Sequence, residues 1–210
     1  MEKAAHVLKI LQKTYPGAKY YLDFRTPLDL MVAAILSAQV RDEVVNSATP
    51  ALFAKHKKAD DYAKATTSEL VKYISKISFA GNKAKNIIAA CKMLVEKHDC
   101  KVPKTMDELT ELPGIGRKTA NAILQNAYGI VVGIPCDTHV LRVAYRLGWT
   151  KNTNPEKVET DLMNLDKYWW DKIPHLLKAH GRAICQAPTP YCSKCPVNKL
   201  CPKAGVKKYF

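Results

Sequence analysis

From residue 2 to about residue 185, apolar side chains recur at helical spacing and almost nowhere in the strict alternation of a strand. This leaves an all-α architecture as the fold class the chain can satisfy. Glu2 to Thr14 forms an amphipathic stretch closed by Pro16-Gly17. Thr26-Pro27 supplies a cap and a proline at the first helical position. The helix it opens, to about Ala38, is apolar almost all round, which predicts a buried central helix. Asp42 to His56 is helical by the same spacing, with Pro50 expected to kink or break it.

Further along, Thr66-Thr-Ser-Glu69 is a capping-box pattern, followed by Leu70, Val71, Ile74 and Ile77 on one face. The chain restarts at Gly81-Asn82, and Ala84, Ile87, Ile88, Cys91, Leu94 and Val95 continue the period. Asn154-Pro155 caps a helix with Val158 and Leu162 inside. Asp166 to Cys185 reads as helix disturbed at Pro174, with Tyr168-Trp169-Trp170 packed into a core. Ile130 to Ile134 looks strand-like but is too short and lonely to build a sheet.

A formal charge of +14 and a pI near 9.4 point to a polyanionic partner, nucleic acid first. The N-terminus lacks a secretory layout, and the longest apolar run, Leu30 to Leu36, is too short to cross a bilayer. Seven cysteines, an odd number, argue for a reducing compartment rather than a disulfide framework. The expectation is a cytoplasmic protein with no membrane role.

Residues 112–118, Leu-Pro-Gly-Ile-Gly-Arg-Lys, join two helices. Thr105-Met-Asp-Glu108 caps the first, which runs to about Glu111. The second runs from Lys118 to Tyr128, with Gly129 as its stop. Both glycines can adopt left-handed angles and leave backbone N–H groups uncovered. Such donors at a helix start bind an anion such as phosphate. Lys118 is either a phosphate contact or a nucleophilic amine. The second role needs a depressed amine pKa, which the helix N-terminus, the adjacent Arg117 and partial burial would favour.

The helix from Lys118 is about 16 Å long, and residues 129–136 reach up to ~27 Å when extended. The chain can therefore return and leave Asp137 beside the start of that helix. Asp137 opens the next helix as an N-cap, a role that does not exclude chemistry.

Cys185, Cys192, Cys195 and Cys201 follow at C-x6-C-x2-C-x5-C within 17 residues. Four thiolates hold either zinc or an iron–sulfur cluster. A single Cys-x-x-Cys pair with wider gaps on both sides favours a cubane, 4Fe–4S, over a zinc ribbon. Arg182, Lys194, Lys199 and Lys203 interleave these ligands. Cys91 reads as a core residue.

Taken together, Leu36-Ser-Ala-Gln39, Leu112-Pro-Gly-Ile-Gly-Arg-Lys-Thr-Ala-Asn121, Asp137-Thr-His139 with Arg142-Val143, His180-Gly-Arg182 and the cysteine quartet occur in an order that resembles the endonuclease III family. These are helix-hairpin-helix DNA glycosylases. The resemblance implies a bilobal all-α fold. A six-helix barrel lobe would span residues 21–132, and residues 1–20 with 133–210 would form the cluster lobe. Double-stranded DNA carrying damaged bases or abasic sites would be bound by a monomer across the mouth of the cleft. It makes Lys118 the nucleophile, Asp137 its acidic partner, and Cys185, Cys192, Cys195 and Cys201 the 4Fe–4S ligands. Leu112, Gly114, Gly116, Arg117 and Thr119 would form the DNA-binding hairpin. Gln39 and Phe79 would fill the void left by an extruded nucleotide, the alternative for Phe79 being a place in a local core.

The chain departs from the family pattern at Val40-Arg41, Phe79 and Cys136, all expected near the damaged strand or pocket, which bears on base preference. The activity implied is a bifunctional glycosylase and abasic-site lyase for oxidised pyrimidines. The alternatives are a mismatch-directed thymine, uracil or adenine glycosylase, against which Lys118 speaks, and a non-catalytic DNA-binding module.

Overall fold

The computed structural model describes residues 2–210. Among the described residues there is no strand, and Ile130 to Ile134, strand-like by sequence, is irregular. The lone segment finds no partner strand, and the Ile134 N–H donates instead to the buried Glu159 carboxylate. Among the described residues, no helix is long and apolar enough to cross a membrane.

The chain divides into two compact units, Tyr21–Ile130 and Met1–Tyr20 with Val131–Phe210. The first contains α2 (Pro27–Leu36), α3 (Asp42–Lys55), α4 (Ala59–Lys64), α5 (Thr67–Ile74), α6 (Ala80–Lys97), α7 (Met106–Glu111) and α8 (Arg117–Tyr128). As expected from its composition, α2 is the central helix, with every residue from Asp29 to Leu36 buried. It packs against α3, α6 and α8. Thr26 caps it by accepting from Asp29 N–H.

Pro50 lies inside α3 without ending it. It lacks only one ladder donor, and the buried Val45, Thr49, Leu52 and Phe53 hold the helix on both sides. The short α4 has no counterpart in the sequence reading. It is set by Asp61, whose carboxylate accepts from the N–H groups of Lys57 and Lys58.

The second unit contains α1 (Glu2–Thr14), α9 (Thr138–Arg146), α10 (Pro155–Met163) and α11 (Ile173–Ala183). Val7, Leu8 and Leu11 of α1 join Val140 and Val143 of α9 and Leu176 and Leu177 of α11 in one core. The stretch expected as a helix disturbed at Pro174 is two elements. A 3-10 turn at Lys167–Trp169 precedes α11, and Pro174 sits in the first turn of α11, where its missing N–H costs nothing. Of the three aromatics expected in the core, Trp169 is buried and Trp170 half-buried. Tyr168, however, is exposed, with Lys172 Nζ 4.1 Å from its ring centroid.

Candidate functional site: a hairpin, a capped aspartate and a thiol-lined cavity

The hairpin is a type II turn written in the sequence. Pro113 follows Leu112, Gly114 takes φ +84, and Ile115 N–H donates to Leu112 O at 3.1 Å. A Cβ at Gly114 would also lie 3.1 Å from Asn86 Cβ and 3.3 Å from Ile35 Cγ2, so glycine lets the turn dock on α6 and α2. Gly116 serves differently from the left-handed expectation. It is the extended N-cap of α8, φ −96 and ψ 175, with open space where a Cβ would be and no side chain over the helix start.

The N–H groups of Lys118 and Thr119, in the first turn, have no intrahelical acceptor. Arg117 and Lys118 are exposed there, Thr119 is half-buried and Leu112 is buried. The partial burial expected for Lys118 is absent, because the second residue of α8 points away from the stripe formed by Ala120, Ile123 and Leu124.

In the same unit, four exposed residues hold left-handed backbone without being glycine: Asp99 at φ 48 and Cys100 at φ 60 just past the end of α6, and the two on the turns of interest, Gln39 at φ 57 and Phe79 at φ 60. Phe79 is 64% exposed, which removes the alternative that it fills a local core. Between these turns lies Lys83, a buried residue absent from the sequence reading. The available signal was a lysine one turn before Ile87 on the apolar stripe of α6.

In the other unit, Asp137 caps α9 as expected. Its Oδ1 accepts from His139 N–H at 2.8 Å and Val140 N–H at 2.9 Å. Its Oδ2 lies 3.9 Å from Lys178 Nζ on α11, a pairing that no motif announced. Arg142 fastens α9 to the end of α11 by donating from Nε to Cys185 O and from Nη2 to Gly181 O, both at 3.0 Å. A Cβ at Gly181 would lie 3.0 Å from His139 Nδ1, which explains the glycine of His180-Gly-Arg182. Burial pushes the His139 imidazole below its ordinary pKa, although the nearby Asp137 pulls the other way.

The four cysteines line one cavity with Val143, Leu147, Val197 and Val206. Among the described residues, no three His, Cys, Asp or Glu side chains are grouped to hold a single metal ion. Four thiols spread around an apolar cavity suit a larger group. Hydrogen-bond donors reach their sulfurs: Arg146 Nη1 to Cys185 at 3.4 Å and Lys203 N–H to Cys201 at 3.3 Å. Arg146, also missed in the sequence, donates further to the carbonyls of Cys185, Gln186 and Pro188. His180, its pKa lowered to about 4 by burial, has Nδ1 2.9 Å from Tyr15 OH and Nε2 3.6 Å from Cys195 Sγ. Burial raises the thiols of Cys192 and Cys201, and that of Cys195 to about 11, so a bound metal group must displace their protons.

Residues 32–167 match the model of the HhH-GPD superfamily of base excision DNA repair proteins. The chain is 47% identical over 204 residues to the endonuclease III of Synechocystis, covering 97% of this chain and 93% of that protein. To the endonuclease III of Escherichia coli K12 it is 35% identical over 200 residues, covering 95% and 94%. A solved structure of a trapped endonuclease III–DNA covalent intermediate superposes with a TM-score of 0.91 at 39% identity, covering 96% and 95%. A thermostable thymine-DNA glycosylase, 22% identical, shares the fold with a TM-score of 0.83 over 96% of each chain.

Proposed function

Because the chain belongs to the endonuclease III family of HhH-GPD base excision DNA repair enzymes, glycosylases that are also lyases, we propose that it excises oxidised pyrimidines through Lys118. The observation that carries this reading is the position of Lys118. It is exposed in the first turn of α8, directly after an uncapped helix start able to grip a backbone phosphate. Gly114 and Gly116 shape that grip, buried Leu112 anchors it, and Arg117 and Thr119 flank it. The related structure with DNA bound covalently supports DNA as the partner.

The nucleotide leaves the stack, and Gln39 and Phe79 fill the space behind it. The neutral Lys118 amine attacks the anomeric carbon, and the base departs with the electron pair of the broken glycosidic bond. Asp137 stabilises the positive charge developing on the sugar and assists proton movement through Oδ2, the oxygen not used in the cap. The attacking nitrogen sheds a proton, and the bond from the anomeric carbon to the ring oxygen breaks with that oxygen taking up a proton. The resulting protonated imine with Lys118 acidifies the adjacent sugar carbon. Loss of a proton from that carbon expels the 3′ phosphate by β-elimination, and water then releases the amine. Cys185, Cys192, Cys195 and Cys201 would hold a 4Fe–4S cluster, which when bound supplies a rigid cross-link for a tail with little apolar surface of its own. The enzyme acts as a monomer on damaged or abasic duplexes in the cytoplasm, at the nucleoid.

Borohydride trapping on abasic DNA tests the reading. Wild type is expected to form a covalent adduct and Lys118→Ala none. Base release without any trappable adduct would favour the water-activating mismatch glycosylase instead.

A further inference from the structure

Lys83 lies on the buried stripe of α6 and is 6% exposed, a costly place for an ammonium group. Its Nζ donates to Leu36 O at 2.8 Å and to Ala38 O at 2.7 Å. These carbonyls sit at and just past the end of α2, where a helix runs out of its own donors. No glycine ends that helix. Ser37 N–H bonds back to Ala33 and Ala34, Val40 N–H closes a turn onto Ser37 O, and Gln39 takes its left-handed angle inside that turn.

At its other end, Lys83 donates its backbone N–H to Phe79 O at 3.0 Å. Phe79 is the second left-handed residue and has no side-chain cap of its own. One residue is thus hydrogen-bonded into both strained turns. Burial lowers the lysine pKa, while two carbonyl acceptors favour its charged form.

We propose that Lys83 is a positioning residue that locks the turn carrying Gln39 to the turn carrying Phe79, so that both side chains stand ready to enter the stack. This rests on the wedge role given above to Gln39 and Phe79. Strained left-handed residues persist only where surrounding contacts hold them. A wedge that is already ordered loses less freedom on insertion than one carried by two independent loops.

The test uses the full chain and a duplex carrying a tetrahydrofuran abasic analogue opposite 2-aminopurine, whose fluorescence rises on unstacking. Wild type is expected to raise the signal, and Gln39→Ala or Phe79→Ala to reduce the rise. Lys83→Met is expected to remove about three quarters of the rise while shifting Kd for the same duplex less than about threefold, with Lys83→Arg restoring about half. Combined with Gln39→Ala, Lys83→Met should add little, because both act on one element.

An undiminished rise, or losses that simply add, overturns the proposal. If Lys83→Met does not fold by circular dichroism, Lys83→Gln carries the same comparison. Misfolding of that variant as well also overturns the proposal, since Lys83 would then support the unit as a whole. A wild type giving neither a fluorescence rise nor a borohydride adduct overturns both this proposal and the reading beneath it. A wild type giving both, beside an unaffected Lys83→Met, overturns this proposal alone.

Discussion

Lys178 on α11 holds its ammonium 3.9 Å from Oδ2 of Asp137, the carboxylate oxygen that the α9 cap leaves over. The two oxygens therefore have separable duties, one in folding and one facing a cation. Asn caps a helix about as well as Asp, whereas Ala costs ~1 kcal/mol. Asp137→Asn should accordingly keep thermal stability within about 1 kcal/mol of wild type and lower base excision by roughly 10²-fold or more. Asp137→Ala should lose both. Calorimetry beside single-turnover excision distinguishes the two effects, and an active Asn variant would remove Asp137 from the chemistry.

Lys118 contributes little to folding, because it is exposed and lies off the apolar stripe of α8. Lys118→Gln should shift unfolding free energy by no more than about 0.5 kcal/mol. The same variant should abolish strand cleavage at an abasic site, followed on a sequencing gel.

Arg146 is the opposite case. It is buried, and its guanidinium serves three carbonyls and one sulfur in the loop after α11. Hydrogen bonds from a charged donor contribute ~1.5–3 kcal/mol each, and truncation strands the buried acceptors. Arg146→Met should destabilise this unit by at least about 3 kcal/mol. It should also lower the iron recovered per chain, measured by elemental analysis, and wild-type iron content would contradict the assignment of Arg146 to the cysteine loop.

The legible parts of the chain were those with local causes. Caps at Thr26, Thr66, Thr105, Asp137 and Asn154 fall where side-chain oxygens can reach the next turn, and each is observed. The type II turn at Pro113-Gly114 is equally local. Long-range contacts left no such trace. Lys83 meets Leu36 across 47 positions, and Arg146 meets Cys185 across 39. Nothing in the sequence around Arg146 sets it apart from the chain's other basic residues. Pro50 does not break its helix for a related reason, since packing from Leu52 and Phe53 outweighs one missing donor.

His175 on α11 offers a pH signature. Burial holds its imidazole below the ordinary value, with Lys178 pushing the same way and Asp171 opposing. The unfolded chain therefore takes up this proton first as pH falls, so stability present at pH 7 is lost progressively below about 6.5. His175→Gln should flatten that part of the pH–stability curve in urea titrations. An unchanged slope would assign the acid sensitivity elsewhere.

Helix α1 shares its core with α9 and α11, although some 120 residues are synthesised between α1 and the start of α9. On the ribosome, the segment Tyr21–Ile130 emerges whole and can condense first. Helix α1 must meanwhile wait, its leucines unclaimed, until α9 and α11 have been made. The cysteine loop is made after α11, so this unit closes its core and its thiol-lined cavity only once the whole of Tyr21–Ile130 has been synthesised.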